Sequence, residues 1–177
     1  TKHIITDVLR ISMAAMPPET AAENDQLDFR QLEADDLDAL ADLYGKVFEV
    51  YPFPIFNPDY LKSCLQSHVH YFGCFDGDAL IAASSAEMDT ESANAEMTDF
   101  ATHPDYRGRN LTFRLLELME GEVPGYGINT LYTIARATSY GMNKTFGRMQ
   151  YNFAGTLVQN TLIGETIEHM NVWYKKL

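Results

Sequence analysis

Basic residues are scarce in this chain. Thirteen Lys and Arg stand against 25 Asp and Glu, a formal net charge of −12, which excludes nucleic acid or an anionic membrane as the main partner. The same acidity suits a cationic small substrate, and it equally serves solubility. Cysteine is scarcer still: Cys64 and Cys74 are the only two. They lack Cys-x-x-Cys spacing, so a reduced, cytoplasmic setting is expected in place of a disulfide scaffold. No apolar run approaches the ~20 residues that cross a bilayer, and no secretory signal pattern is present. His68, His70 and His103 with the two cysteines offer no second ligand pair at zinc spacing, so no metal is expected. Walker and dinucleotide fingerprints are missing as well.

What is present describes a globular chain: 177 residues, 46% hydrophobic and 21% charged, enough for one substantial core. Ile4, Val8, Ile11 and Met13 recur at helical spacing, and residues 16–25 then read as a linker. Residues 1–26 are therefore expected to be an N-terminal helix and linker, and 27–177 a single domain. That domain should open with a strand over 27–32 and a helix over 35–48, whose Leu37, Leu40, Tyr44, Val47 and Phe48 form an apolar stripe. Prolines at alternate positions make Tyr51-Pro52-Phe53-Pro54-Ile55-Phe56 an aromatic loop. A short helix over 60–67 should follow.

Strands over 70–75 and 80–88 flank an Asp76-Gly77-Asp78 hairpin turn. A strand over 96–102, a helix over 111–121 and a strand over 130–135 make a crossover, which implies one parallel pair in an otherwise antiparallel sheet. A helix over 140–149 and strands over 151–159 and 166–174 complete an α+β order. The fold class expected is a mixed, mostly antiparallel sheet of six to seven strands with one splayed parallel pair and about four flanking helices.

The most informative segment joins the strand over 96–102 to the following helix. Phe100-Ala101-Thr102-His103-Pro104 runs into Arg107-Gly108-Arg109-Asn110-Leu111-Thr112. A strand feeding a basic turn and a helix N-terminus makes a phosphate cradle, because free N–H groups and the positive end of the helix dipole converge there.

With the element order around it, this segment resembles the acetyl-CoA-binding motif of the GNAT family of N-acetyltransferases, in which Arg/Gln-x-x-Gly-x-Gly/Ala opens a helix. Asn110 stands for the glycine and Thr112 for the glycine or alanine. Asn is the non-glycine residue that best tolerates left-handed geometry, so the turn can survive. Tyr132-Thr133-Ile134-Ala135-Arg136-Ala137, Gly141-Met142-Asn143-Lys144-Thr145-Phe146, Met170-Asn171-Val172-Trp173-Tyr174-Lys175 and the Tyr51–Ile55 loop are similar to the β-lysine N-acetyltransferases of that superfamily. Such enzymes acetylate the ε-amine of β-lysine to make a compatible solute. They often carry a further N-terminal region, of which residues 1–26 would be the stub.

The resemblance implies acetyl-CoA as co-substrate, a small-molecule amine as acceptor, and direct transfer in a ternary complex, with a homodimer left open. It implies Glu96 as the base that takes the ammonium proton. By strand alternation Glu96 shares one face with Thr98, Phe100 and Thr102, while Asp99 points to the other. The backbone of Phe100, Ala101 and Thr102 would meet the pantetheine arm, and residues 107–112 the pyrophosphate. Ser139 stands at the usual cofactor-contacting asparagine, with Asn143 one helical turn later. Phe146 occupies the place of a tyrosine that protonates the leaving thiolate in many relatives, so Tyr140, Tyr132 or solvent takes that part. Tyr51, Phe53 and Phe56 would wall the acceptor site or plug the core. The acidic group Glu87, Asp89, Glu91 and Glu96 would attract a cation or form a solvated loop. Another amine acceptor, or a non-catalytic CoA-binding module, are the alternative readings.

Overall fold

The computed structural model describes residues 1–18 and 26–177. From residue 19 on, the expected linker lies outside the described residues. The elements begin α1 (Lys2–Met13), β1 (Leu27–Gln31), α2 (Leu37–Val47), α3 (Pro58–Leu65), β2 (Val69–Asp76), β3 (Ala79–Asp89) and β4 (Asn94–Thr102). They continue α4 (Leu111–Glu122), β5 (Thr130–Arg136), α5 (Tyr140–Arg148), β6 (Asn152–Ile163) and β7 (Thr166–Lys176). Two compact units result: Asn24–Asn129, and Thr1–Glu23 with Thr130–Leu177. No described helix is long and apolar enough to cross a membrane.

In the Asn24–Asn129 unit, β1, β2, β3 and β4 pair antiparallel in that order. Local signals start its helices. Glu33 and Asp36 form a reciprocal capping box ahead of α2, and Asn57 Oδ1 accepts from Asp59 N at 2.9 Å with Pro58 opening α3. Leu37, Leu40, Leu43 and Tyr44 of α2 and Leu61 of α3 pack on Val69, Tyr71, Ala83 and Ala101 of the sheet. Ser84, which neighbours Ala83 and so faces the other way, donates to Met119 Sδ of α4 at 3.0 Å.

One irregularity in β4 governs the site. Ala83 pairs with Ala101 and Ser85 with Thr98, so two residues of β4, Asp99 and Phe100, oppose Ser84 alone. This is a β-bulge, and Asp99 adopts φ 53° within it. Simple alternation therefore fails at this point. Ala101 packs in the α2-side core, which turns Phe100 and Thr102 to the opposite face from Glu96 and Thr98. The expectation that Glu96, Thr98, Phe100 and Thr102 share a face, with Asp99 on the other, is corrected accordingly: the extra residue resets the parity.

In the other unit β7 pairs antiparallel with β5 on one side and β6 on the other. The β6–β7 hairpin extends to Ile163, beyond the expected end at 159, and turns at Gly164, φ 62°. Trp173 is buried, with Phe153 edge-on at 5.4 Å between centroids. α1 packs closely on α5: a Cβ at Gly147 would lie 1.9 Å from the Ser12 carbonyl oxygen. Gly147→Ala is therefore expected to push α1 off α5 at an overpacking cost of about 2 kcal/mol. A lowered urea midpoint for that variant, with unchanged far-UV dichroism at zero urea, checks it.

Candidate active site

The acceptor-side residues converge on a cavity of about 150 Å3 in the Asn24–Asn129 unit. Its floor is sheet: Val69 and Tyr71 of β2, Glu87 of β3, and Glu96, Thr98 and Asp99 of β4. Its walls are Tyr51, Phe53 and Ile55 of the proline-rich loop, with Tyr60 and Cys64 of α3 and His68. Three carboxylates thus share a small, largely aromatic space with no Lys or Arg among its lining residues.

Glu96 and Glu87 are cross-strand partners in register, which sets two like charges side by side. Burial first, then Glu87, then Asp99, push the Glu96 carboxyl from the ordinary 4.5 up to about 7. A carboxylate there is poised to exchange a proton at neutral pH. Glu87 Oε1 lies 3.2 Å from His68 Nε2, and His68 Nδ1 lies 2.7 Å from Ser67 Oγ. Of the acidic group read from the sequence, Glu87 and Glu96 line the cavity, while Asp89 and Glu91 are exposed. Asp89 Oδ1 accepts from Ser92 N at 3.0 Å within the β3–β4 turn.

The bulge delivers Asp99 to this same cavity. Ser85 Oγ donates to Asp99 Oδ2 at 2.6 Å and the Tyr51 hydroxyl donates to Asp99 Oδ1. Burial, with Glu87 after it, pushes the Asp99 carboxyl upward, and the Ser85, Tyr51 and Thr98 hydroxyls act against it. Burial beside Asp99 raises the Tyr51 phenol far out of its ordinary range, so Tyr51 stays a donor. Its position is fixed by an aromatic file, Phe48 to Tyr51 at 4.8 Å and Tyr44 to Phe48 at 5.8 Å. The expected acceptor residues Tyr51, Phe53 and Glu96 are brought together. Phe56 is not among the lining residues and is 40% exposed. Asp99 is the residue that strand alternation missed; the only sequence signal for it was an acidic side chain in mid-strand.

The turn into α4 has the geometry of an anion seat. Gly108 takes φ 81°, and Asn110, the N-cap, sits in left-handed geometry at φ 56°, ψ 26°. The Asn110 side chain does not cap the helix, and no acidic residue occupies the first turn. A helix start of this kind, without a side-chain cap or an acidic first turn, presents its positive end to an anion. Arg107, Gly108, Arg109 and Asn110 are exposed, Thr112 is half-buried and Leu111 is in the core. Tyr106 braces the turn: its hydroxyl donates to Asp76 Oδ2 at 2.8 Å and the Arg109 guanidinium lies 5.1 Å above its ring. These residues fit a pyrophosphate.

Ser139, Tyr140, Asn143 and Phe146 belong to the other unit. Ser139 caps α5, its Oγ accepting from Met142 N at 3.4 Å, and Tyr140 is 45% exposed. Asn143 is fully buried. Its Nδ2 donates to the Arg136 and Ser139 carbonyls at 3.0 and 2.7 Å. Its Oδ1 accepts from Asn171 Nδ2 at 3.0 Å and Trp173 Nε1 at 2.9 Å. Phe146 is fully buried edge-on to Tyr151.

Residues 34–149 match the model of the acetyltransferase (GNAT) family. The chain belongs to that family. The β-lysine N(6)-acetyltransferase of Methanococcus maripaludis is 46% identical over 140 residues, which are 79% of this chain and 51% of that one. N-acetyltransferase YodP of Bacillus subtilis is 41% identical over 148 residues, 84% of this chain and 54% of that one. This GNAT chain spans about half the length of these relatives. Among solved structures, the ribosomal-protein-S18-alanine N-acetyltransferase of Escherichia coli superposes with a TM-score of 0.73 at 18% identity, covering 85% of this chain and 94% of that one. A Salmonella typhimurium acetyltransferase solved with acetyl-CoA does so at 0.73 and 10% identity, covering 86% and 94%. The expected fold class is borne out: among the described residues, a mixed sheet of seven strands with one parallel pair and five helices, the GNAT fold.

Proposed function

We propose that this GNAT chain is an acetyl-CoA-dependent N-acetyltransferase whose acceptor is the ε-amine of β-lysine. The observation that carries the reading is Glu96, a carboxyl held near 7 in an aromatic cavity that also contains Glu87 and Asp99. The names of the relatives support the acceptor; the acidity of the cavity supports its charge. A primary ammonium entering this cavity meets carboxylates on its floor and rings on its walls. Glu96, ionised above pH ~7, takes its proton and leaves the neutral amine that attacks. The uncapped N-terminus of α4 with Arg107 and Arg109 would hold the pyrophosphate of acetyl-CoA, which supplies the acetyl thioester. The strand residues Phe100, Ala101 and Thr102 lead into that turn. Tyr140, solvent-exposed at the start of α5, is the candidate proton donor to the leaving thiolate and Ser139 a candidate cofactor contact. Asn143 and Phe146 act as framework, since their side chains are spent inside the unit.

Thiol release followed over a panel of β-lysine, lysine and spermidine tests the reading. Turnover of β-lysine first among the three is expected. Activity on spermidine alone would overturn the acceptor, and CoA binding without turnover of any amine would favour a binding module. The seat itself makes a separate expectation. Asn110→Ala should cost about 1 kcal/mol because Ala pays more for φ 56°, whereas Asn110→Gly should be neutral or slightly stabilising. Thermal midpoints of the two variants check the order.

A further inference from the structure

Asp99 is a carboxylate without a counter-charge. The hydrogen bonds it accepts come from neutral hydroxyls, Ser85, Tyr51 and Thr98, and the cavity it faces has no Lys or Arg in its lining. Carboxylates withdrawn from water are ordinarily paired with a cation. Its neighbour Glu87 makes its ionisation harder, not easier. The proton-transfer role does not need it, because Glu96 fills that role. The backbone also spends left-handed geometry, φ 53°, to aim it inward.

A carboxylate has about four lone-pair sites and three are taken here, which leaves room for one N–H donor. Rings of Tyr51, Phe53, Tyr60 and Tyr71 stand around the same space and favour an ammonium carried on a short alkyl chain. We propose that Asp99 is a specificity-determining residue that holds the second, still protonated amine of the acceptor, so that the site selects diamino substrates over monoamines. The missing positive charge is then brought by the substrate itself. Ser85 and Tyr51 orient the carboxylate, and Tyr51 ties the proline-rich loop over the occupied site. This rests on the acetyltransferase reading above and narrows its acceptor class.

The test compares β-lysine with ε-aminocaproate, the same carbon chain and carboxylate without the β-amine. Wild type is expected to prefer β-lysine in kcat/KM by about 100-fold, the loss for the monoamine appearing mainly in KM. In Asp99→Asn the preference should collapse to about fivefold, through a raised KM for β-lysine. Glu87→Gln is the counter-variant and should keep most of the preference. A preference unchanged in D99N, or one lost in E87Q and kept in D99N, overturns the assignment. So does a wild type that takes both acceptors equally. No turnover of either acceptor by wild type would instead sink the underlying acetyltransferase reading, and the proposal with it. Should D99N fail to fold, Ser85→Ala removes one orienting hydroxyl. It is expected to cut the preference about tenfold, and no change there overturns the proposal.

Discussion

Glu96→Gln is expected to lower kcat for amine acetylation by about 100- to 1,000-fold while making the fold more stable at alkaline pH. Both effects have one cause. The Glu96 carboxyl sits part-buried opposite Glu87, which lifts it from the ordinary 4.5 to about 7. Between those two values the folded state holds a proton that the unfolded state has released. Stability is then fully present below pH 4.5 and is lost as pH rises through 7. A glutamine keeps the space and cannot ionise. At pH 8 E96Q should exceed wild type by about 2 kcal/mol, a figure already reduced for the part of the side chain that meets water. Urea unfolding at pH 4 and pH 8 measures it: the two proteins should match at the lower pH and separate at the higher. A variant that loses activity and stability together would mark Glu96 as a structural residue.

Asn143→Ala should be the most damaging substitution in the Thr130–Leu177 region. The Asn143 amide bonds two carbonyls on α5's own approach and accepts from Asn171 and Trp173. Truncation strands the Trp173 indole N–H and the Asn171 amide in the interior, where each lost partner costs about 1–2 kcal/mol. A total of about 3 kcal/mol is expected, read as a depressed Tm. The Arg136 and Ser139 carbonyls lose less, since each keeps a backbone donor at 3.0 and 3.3 Å. The KM for acetyl-CoA separates framework from contact. A large Tm loss with little change in that KM fits the buried amide, whereas a raised KM at unchanged Tm would return Asn143 to the cofactor.

The difference between what the sequence disclosed and what it hid follows from how far each signal reaches. The turn into α4 was legible because left-handed geometry is a local property and Asn110 is one of few side chains that accept it. Glu96 was legible through the resemblance, and strand period paired it correctly with Thr98 alone, since the bulge resets the parity beyond that residue. Asp99 was hidden because a bulge is a two-strand property: it arises from how β4 pairs with β3, and an aspartate at φ 53° leaves no local mark. The partnership of Tyr51 with Asp99 was hidden for the same reason, being a contact across 48 residues. Asn143 shows the converse limit. One helical turn from Ser139 was enough to place it beside a cofactor-contact position, but not to show that its amide nitrogen would bond the Arg136 and Ser139 carbonyls and its oxygen the Asn171 and Trp173 donors of β7.

The pH dependence of kcat/KM for β-lysine, in wild type and E96Q, bears most directly on the claim that this cavity is the amine site and Glu96 its base. Wild-type activity should rise with pH through a limb near 7, set by the Glu96 carboxyl. That limb should vanish from the residual activity of E96Q. The same limb persisting in both proteins would assign the proton transfer to another group and contradict the account.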